Sequence, residues 1–366
     1  MLYLLCHWEG VWGPLRLFRY ITFRSTMAFL TALLWLFVVG PKIFRWLKKK
    51  KCEDVLRTAE EVREIAHLHA GKANVPTMGG LAIVSGVVVA SLLWLRFNCY
   101  SLCTLATGLL LALVGICDDW QKIRYRNSRG LKCHWKWLAQ GVATLVILYF
   151  LLKEPHIGPK IDGLYAPFLK HPLCYSLPPA CLFLYWFSVL AGTSNAMNLT
   201  DGIDGLAVGC CITVILTYAV FAYVAGNVQL SHYLHLTYLP DVGELCVLCF
   251  AIAGACIGFL WFNAHPAEIF MGDTGSLSLG AWLGCVALMT QQSLTLILVG
   301  LVFVLEALSV ILQVLSFKLC KKRIFKMSPI HHHFELMGIP ESKIIVRFWI
   351  VSLLCALFGL LSLKLR

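Results

Sequence analysis

Long apolar runs alternate with short polar ones along the whole chain, and each apolar run is near the roughly 20 residues that a helix needs to cross a hydrocarbon core. This pattern predicts about ten spanning helices, at 20–44, 77–97, 102–118, 136–153, 178–198, 204–225, 243–262, 274–291, 293–317 and 344–363. The eighth and ninth runs nearly touch, so their junction is poorly marked. Between the fourth and fifth, residues 154–178 carry Pro155, Pro159, Pro167 and Pro172, which suits an ordered loop or hairpin. The expected fold is all-α: a polytopic integral membrane protein forming one domain over residues 1–366.

Composition supports this. The chain is 59% hydrophobic and 14% charged, with mean hydropathy +0.76, whereas soluble domains run about 45–50% apolar and about 25% charged. The opening "MLYLLCHWEGVWGPLRLF" has no basic start and no small-residue cleavage site, so the first helix reads as a retained anchor. Most of the 16 cysteines sit inside apolar runs, Cys246 and Cys249 among them, and read as small buried hydrophobes.

The net charge of +12 is unevenly placed. The loop after the first span holds nine Lys or Arg between Lys42 and Lys72. The loop after the third holds six, from Lys122 to Lys136, and the loop after the ninth six more, from Lys318 to Lys343. Residues 153–178 carry three and residues 226–242 none. Basic loops stay in the cytoplasm, which puts both termini outside; Arg16, Arg19 and Arg24 pull weakly the other way. No basic helix stands apart from the apolar runs, so nucleic acid is not an expected partner.

With that orientation the unusual polar stretches fall on the cytoplasmic face: "GKANVPTMGG" (71–80), "CDDWQK" (117–122), "NAMNLTDGIDGLA" (195–207), "WFNAHPAEIFMGDTGSL" (261–277) and "SPIHHHFE" (328–335). Asp118 and Asp119 point about 100° apart if helical, so one can face a metal and the other a substrate; the alternative is a solvated helix end paired with Lys122 or Arg124. Asn198, Asp201 and Asp204 recur every third position and suit a ligand-facing role; the alternative is that Asp201 or Asp204 caps the sixth span. Gly272 and Asp273 open the eighth span, where a helix start attracts phosphate, and Asp273 either caps it or holds a hard cation. Mg²⁺ takes one or two carboxylates, water and phosphate oxygens, and Asp118, Asp119 and Asp273 suit it. Consecutive His331, His332 and His333 diverge on regular backbone; they are solvated, or they bind phosphate or move a proton. With Lys72 and Lys122, these groups imply an anionic phosphate, a divalent cation, and phosphoryl transfer to or from a lipid.

"VPTMGG", "DDWQK", "NAMNLTDGIDGLA", "FNAHPAEIFMGDTGSL" and "PIHHHFE" together closely resemble the phospho-N-acetylmuramoyl-pentapeptide transferases, a branch of the polyprenyl-phosphate N-acetylhexosamine-1-phosphate transferases, over about residues 20–363. The resemblance implies a bacterial inner-membrane enzyme with a cytoplasmic active site. It implies that UDP-N-acetylmuramoyl-pentapeptide and undecaprenyl phosphate give lipid I and UMP with Mg²⁺, the first membrane step of peptidoglycan synthesis. Asp273 then looks like the principal Mg²⁺ ligand, Asp118 and Asp119 like the catalytic pair with Asp118 assisting the metal, and His331 like the family's essential histidine, with His332 and His333 beside it. Lys72, Thr77, Asn198, Asp201, Asp204, Asn263 and Phe270 look like the nucleotide-sugar pocket, Phe270 stacking on uracil. Membrane lipid and a second copy of the chain are further candidate partners. Competing readings are a related transferase using UDP-N-acetylglucosamine and, in another class, a transporter with intramembrane acids such as Glu306 on an ion path.

Overall fold

The computed structural model describes residues 1–50, 52, 75–126 and 130–365. Two short 3₁₀ segments, Leu2–Trp8 and Gly13–Arg19, lead into α1 (Ile21–Val38) and α2 (Gly40–Lys49). There follow α3 (Gly80–Trp94), α4 (Cys99–Tyr125), α5 (Cys133–Lys153), α6 (Pro179–Thr200), α7 (Leu206–Ala225) and α8 (Val228–Tyr233). The chain closes with α9 (Glu244–Asn263), α10 (Gly272–Met289), α11 (Thr295–Val299), α12 (Leu301–Cys320), α13 (Ile330–Glu335) and α14 (Glu341–Lys364).

Among the described residues eight helices are long and apolar enough to cross a membrane, counting α1 and α2 as one. Of the ten expected spans, the second and eighth correspond to helices outside those eight: α3, an apolar helix of 15 residues, and α10, whose first turns are diluted by Asp273, Thr274, Ser276 and Ser278. The first span breaks at Val39, where Pro41 starts a new helix. The ninth breaks at Gly300, between α11 and α12. The third runs further than the apolar pattern suggested: α4 begins at a capping box between Asn98 and Ser101 and continues through the polar stretch to Tyr125. Residues 154–178 form a hairpin, closed by paired backbone bonds between Leu164 and Cys174 (2.9 Å) and Leu173 and Leu164 (2.7 Å).

α10 is the centre of the bundle, buried at every residue from Asp273 to Met289 and packed between α4 and α6, while α9 lies along α1 and α7. Small residues set these approaches. A Cβ on Gly115 of α4 would stand 2.4 Å from the Asp273 carbonyl oxygen, so α4 and α10 meet backbone to backbone where their acids lie. The outer faces of α5, α12 and α14 stay apolar and exposed, with Phe150, Ile311, Leu315 and Phe358 turned outward. Cys246 and Cys249 are packed in the core on α9.

The end of the bundle opposite the acids holds a buried pair: Arg24 donates to both carboxylate oxygens of Glu244 (2.7 and 2.6 Å) and to the Trp94 carbonyl (3.3 Å). Arg24 is thus neutralised inside the protein rather than a loop charge, which removes its weight against the topology. Lys364 meets the Tyr233 hydroxyl at the same end, so both chain termini lie away from the acid cluster.

Candidate active site

Four side chains form a closed square. Asp118 and Lys122 are one turn apart on α4, so they face the same way, and Lys122 Nζ lies 2.6 Å from Asp118 Oδ2 and 2.9 Å from Asp273 Oδ1. Lys136, in the first turn of α5, lies 2.8 Å from Asp118 Oδ1 and 2.5 Å from Asp273 Oδ2. Each ammonium bridges the same two carboxylates. Asp118 is almost wholly buried, and its Oδ1 also accepts the Leu131 N–H at 2.9 Å. The solvated-helix-end alternative is therefore not realised for either acid, since Asp119 is buried as well.

Asp119 points elsewhere. Its carboxylate accepts the Asp273 N–H (3.0 Å), the Thr274 N–H (3.0 Å) and the Thr274 hydroxyl (2.7 Å). The first turn of α10 has no side-chain cap of its own, so Asp273 is not a cap. An acid from α4 satisfies its open N–H groups instead, and its negative charge is favourable at that end of the helix dipole. One oxygen from each of Asp118, Asp119 and Asp273 lies within 4.8 Å of the others, a group able to hold a metal ion.

The remaining motifs converge on this end. Phe270 N–H donates to the Pro76 carbonyl (2.8 Å), and Gly79 and Gly80 donate to the Phe270 and Met271 carbonyls (2.9 and 2.8 Å). Thr77 and half-buried Phe270 are thereby held beside α10. Gly272 has φ +73°, and a Cβ there would be 2.8 Å from Asp119 Oδ2 and 3.0 Å from Thr77 Oγ1, so only glycine fits. Asn198 donates to Ser276 on α10 at 2.9 Å. Asp201 is the C-cap residue of α6 and does not cap α7, which starts at Gly205 in the left-handed region without a side-chain cap. Asp204 instead accepts from the Ala267 N–H (3.1 Å) and meets His265 Nδ1 at 3.0 Å, while Glu341 takes the Asp204 N–H at 3.0 Å. Asn263 ties the same loops, accepting from Gly205 N–H (3.1 Å) and donating to the Ile269 carbonyl (2.8 Å). Lys72 lies outside the described residues.

The three histidines diverge as consecutive helical residues must. His331 is fully buried and its Nδ1 is 3.1 Å from Glu306 Oε2. His332 Nδ1 is 2.6 Å from Glu335, and His333 Nδ1 accepts the Lys326 N–H at 3.2 Å. A Cβ on Gly202 would touch His331 Nε2, which places this histidine against the Asn198–Asp204 loop.

A profile of the family described as "Glycosyl transferase family 4" matches residues 101–291, which include Asp118, Asp119 and Asp273. The chain is 44% identical over 367 residues to the phospho-N-acetylmuramoyl-pentapeptide-transferase of Methylacidiphilum infernorum, covering 100% of both chains. It is 46% identical to that of Oleidesulfovibrio alaskensis over 96% of each, and 47% identical to that of Nitratidesulfovibrio vulgaris over 95% of each. The chain belongs to the phospho-N-acetylmuramoyl-pentapeptide-transferase family.

Reading along the chain does not single out three residues that the structure brings to these motifs, Lys136, His265 and Glu341. Lys136 had been counted as a loop charge. Its signal was present: Lys136, Gln140 and Thr144 recur every fourth position in an otherwise apolar helix, and Gln140 and Thr144 are buried. His265 and Glu341 carried no such pattern. Glu306 stands out in the sequence as an acid in an apolar run with no partner nearby; the structure gives it His331.

Proposed function

We propose that the chain transfers phospho-N-acetylmuramoyl-pentapeptide from its UDP derivative to undecaprenyl phosphate, giving lipid I and UMP. It acts as a single membrane domain in the bacterial inner membrane, with the acid cluster in the cytoplasm and both termini outside. The observation that carries this is the square of Asp118, Asp273, Lys122 and Lys136, set at the start of α10, beside which the 76–80 segment and Asn198 are held.

The donor set fits Mg²⁺. Asp118 and Asp273 offer hard carboxylate oxygens within 4.8 Å of one another, the donor type Mg²⁺ takes, and Lys122 and Lys136, now their counter-ions, would give up those contacts to the cation. These two acids would hold it, Asp119 being committed to the start of α10. When bound, the ion neutralises charge on the leaving UMP. Lys122 and Lys136 are then placed for diphosphate oxygens, and the fixed α10 start offers oriented dipoles to the developing charge. Thr77, Asn198, Asp201, Asp204, Asn263, Phe270 and Lys72 shape the nucleotide-sugar pocket, with Phe270 under uracil and His331, His332 and His333 at its edge.

The attacking lipid phosphate is a monoester with a second pKa of about 6, so about nine-tenths is dianionic at pH 7. Direct attack on the β-phosphate then needs no strong base, and no covalent aspartyl-phosphate. Trapping a phosphorylated enzyme with nucleotide substrate alone overturns that part.

The decisive experiment feeds the purified protein undecaprenyl phosphate and one UDP-sugar at a time in detergent, with and without Mg²⁺. UMP release with the muramoyl-pentapeptide derivative, and only with Mg²⁺, is expected. Release only with UDP-N-acetylglucosamine assigns the chain to the related branch, and no release with either rejects the transferase reading.

A further inference from the structure

Glu306 on α12 and His331 on α13 are both fully buried and 3.1 Å apart, Oε2 to Nδ1. Each also has one polar atom without a hydrogen-bond partner among the described residues, Glu306 Oε1 and His331 Nε2. Leaving such atoms unmade inside a protein is costly, and the histidine's spare nitrogen is not directed at core. It abuts Gly202, where a Cβ would stand 2.2 Å from Nε2 and 2.8 Å from Cε1. Gly202 itself is exposed and lies between Asp201 and Asp204. The imidazole edge therefore lies directly beneath the Gly202 backbone of a surface loop.

We propose that Glu306 is a positioning residue for His331. An ionised carboxylate only accepts hydrogen bonds, so it fixes the proton on Nδ1 and the ring in one orientation. Nε2 is then the ring's single uncommitted nitrogen, held at Gly202 for a proton-bearing group of the bound substrate. This is the arrangement by which an outer carboxylate orients a working imidazole. The inference rests on the transferase reading above.

The test uses the full chain in detergent, with UMP release as readout. Glu306→Ala lowers kcat about 10–100-fold, the range seen when an orienting partner is removed, with KM for the nucleotide-sugar within about twofold. Glu306→Gln recovers most of that rate, because its amide oxygen accepts the same Nδ1 proton. In a His331→Ala background Glu306→Ala has no further effect, since the two act as one unit. A parent-like rate for Glu306→Ala, losses that multiply with His331→Ala, or a Glu306→Gln variant as slow as Glu306→Ala each overturns the proposal. If Glu306→Ala does not yield a monodisperse protein, Glu306→Asp replaces it: one methylene shorter, the acid withdraws from Nδ1 and the same loss is expected, while a parent-like rate overturns the idea. Absence of UMP release by the parent chain instead sinks the transferase reading, and then binding decides: uridine-nucleotide affinity unchanged by Glu306→Gln but weakened by Gly202→Ala supports the ring's placement, and affinity indifferent to Gly202→Ala rejects it.

Discussion

Asp119 holds Thr274 by two bonds, one to its amide at 3.0 Å and one to its hydroxyl at 2.7 Å, across 155 positions of sequence. The two neighbouring acids of α4 consequently do different work. Asp118 faces Asp273 and the lysines, while Asp119 fixes the helix that presents Asp273.

Thr274→Val keeps the shape and removes one of the three donors to Asp119. A bond to a charged group contributes about 1.5–3 kcal/mol, so thermal unfolding in detergent should show destabilisation of about that size, with partial turnover. Asp119→Ala strips the α10 start of its acceptor, and both stability and turnover should fall further. Equal stability of Thr274→Val and the parent argues against the clamp.

Asp273→Ala removes one of the two carboxylates that the lysines bridge. It should abolish Mg²⁺-dependent turnover while leaving a monodisperse protein, and it should weaken Mn²⁺ binding measured by titration. Retained turnover would take Asp273 out of the metal site.

Lys136→Met keeps most of the stem and deletes the charge between Asp118 and Asp273. Loss of one preorganised electrostatic group typically costs about 10²–10³ in kcat, and the same range is expected here. A variant with parent-like kcat would make Lys136 a counter-ion only.

Gly272→Ala forces a side chain into a left-handed position beside Asp119 and Thr77. Strain of this kind costs about 1–3 kcal/mol. A lower unfolding temperature and a loss of turnover should appear together, because the displaced atoms belong to the α10 start. A neutral result would show that the 77–80 and 270–273 loops are less tightly joined than their hydrogen bonds imply.

Much of the site could be read from residue types alone. Asp118, Asp119, Asp273 and His331 stood out because charged or polar groups crowded against apolar runs are costly unless used. Their convergence could be suspected from loop charge and from family resemblance. Their division of labour could not: capping by Asp119 depends on the crossing of α4 and α10 at Gly115, and no local pattern encodes a distance between helices. The choice between a cap and another role for Asp204 was hidden for the same reason, its partners His265 and Ala267 lying on a distant loop.

The sequence by itself determined which segments are long, apolar helices, since the preference of side chains for hydrocarbon is decided residue by residue and a helix satisfies its own backbone. It also determined that acids, lysines and histidines crowd the ends of particular runs. Only the tertiary structure decided which carboxylate meets which cation, that Lys136 joins the acids, and that Glu306 meets His331. Hydrogen bonds and ion pairs act over about 3 Å, and only the packing of helices far apart in sequence brings these groups within that reach.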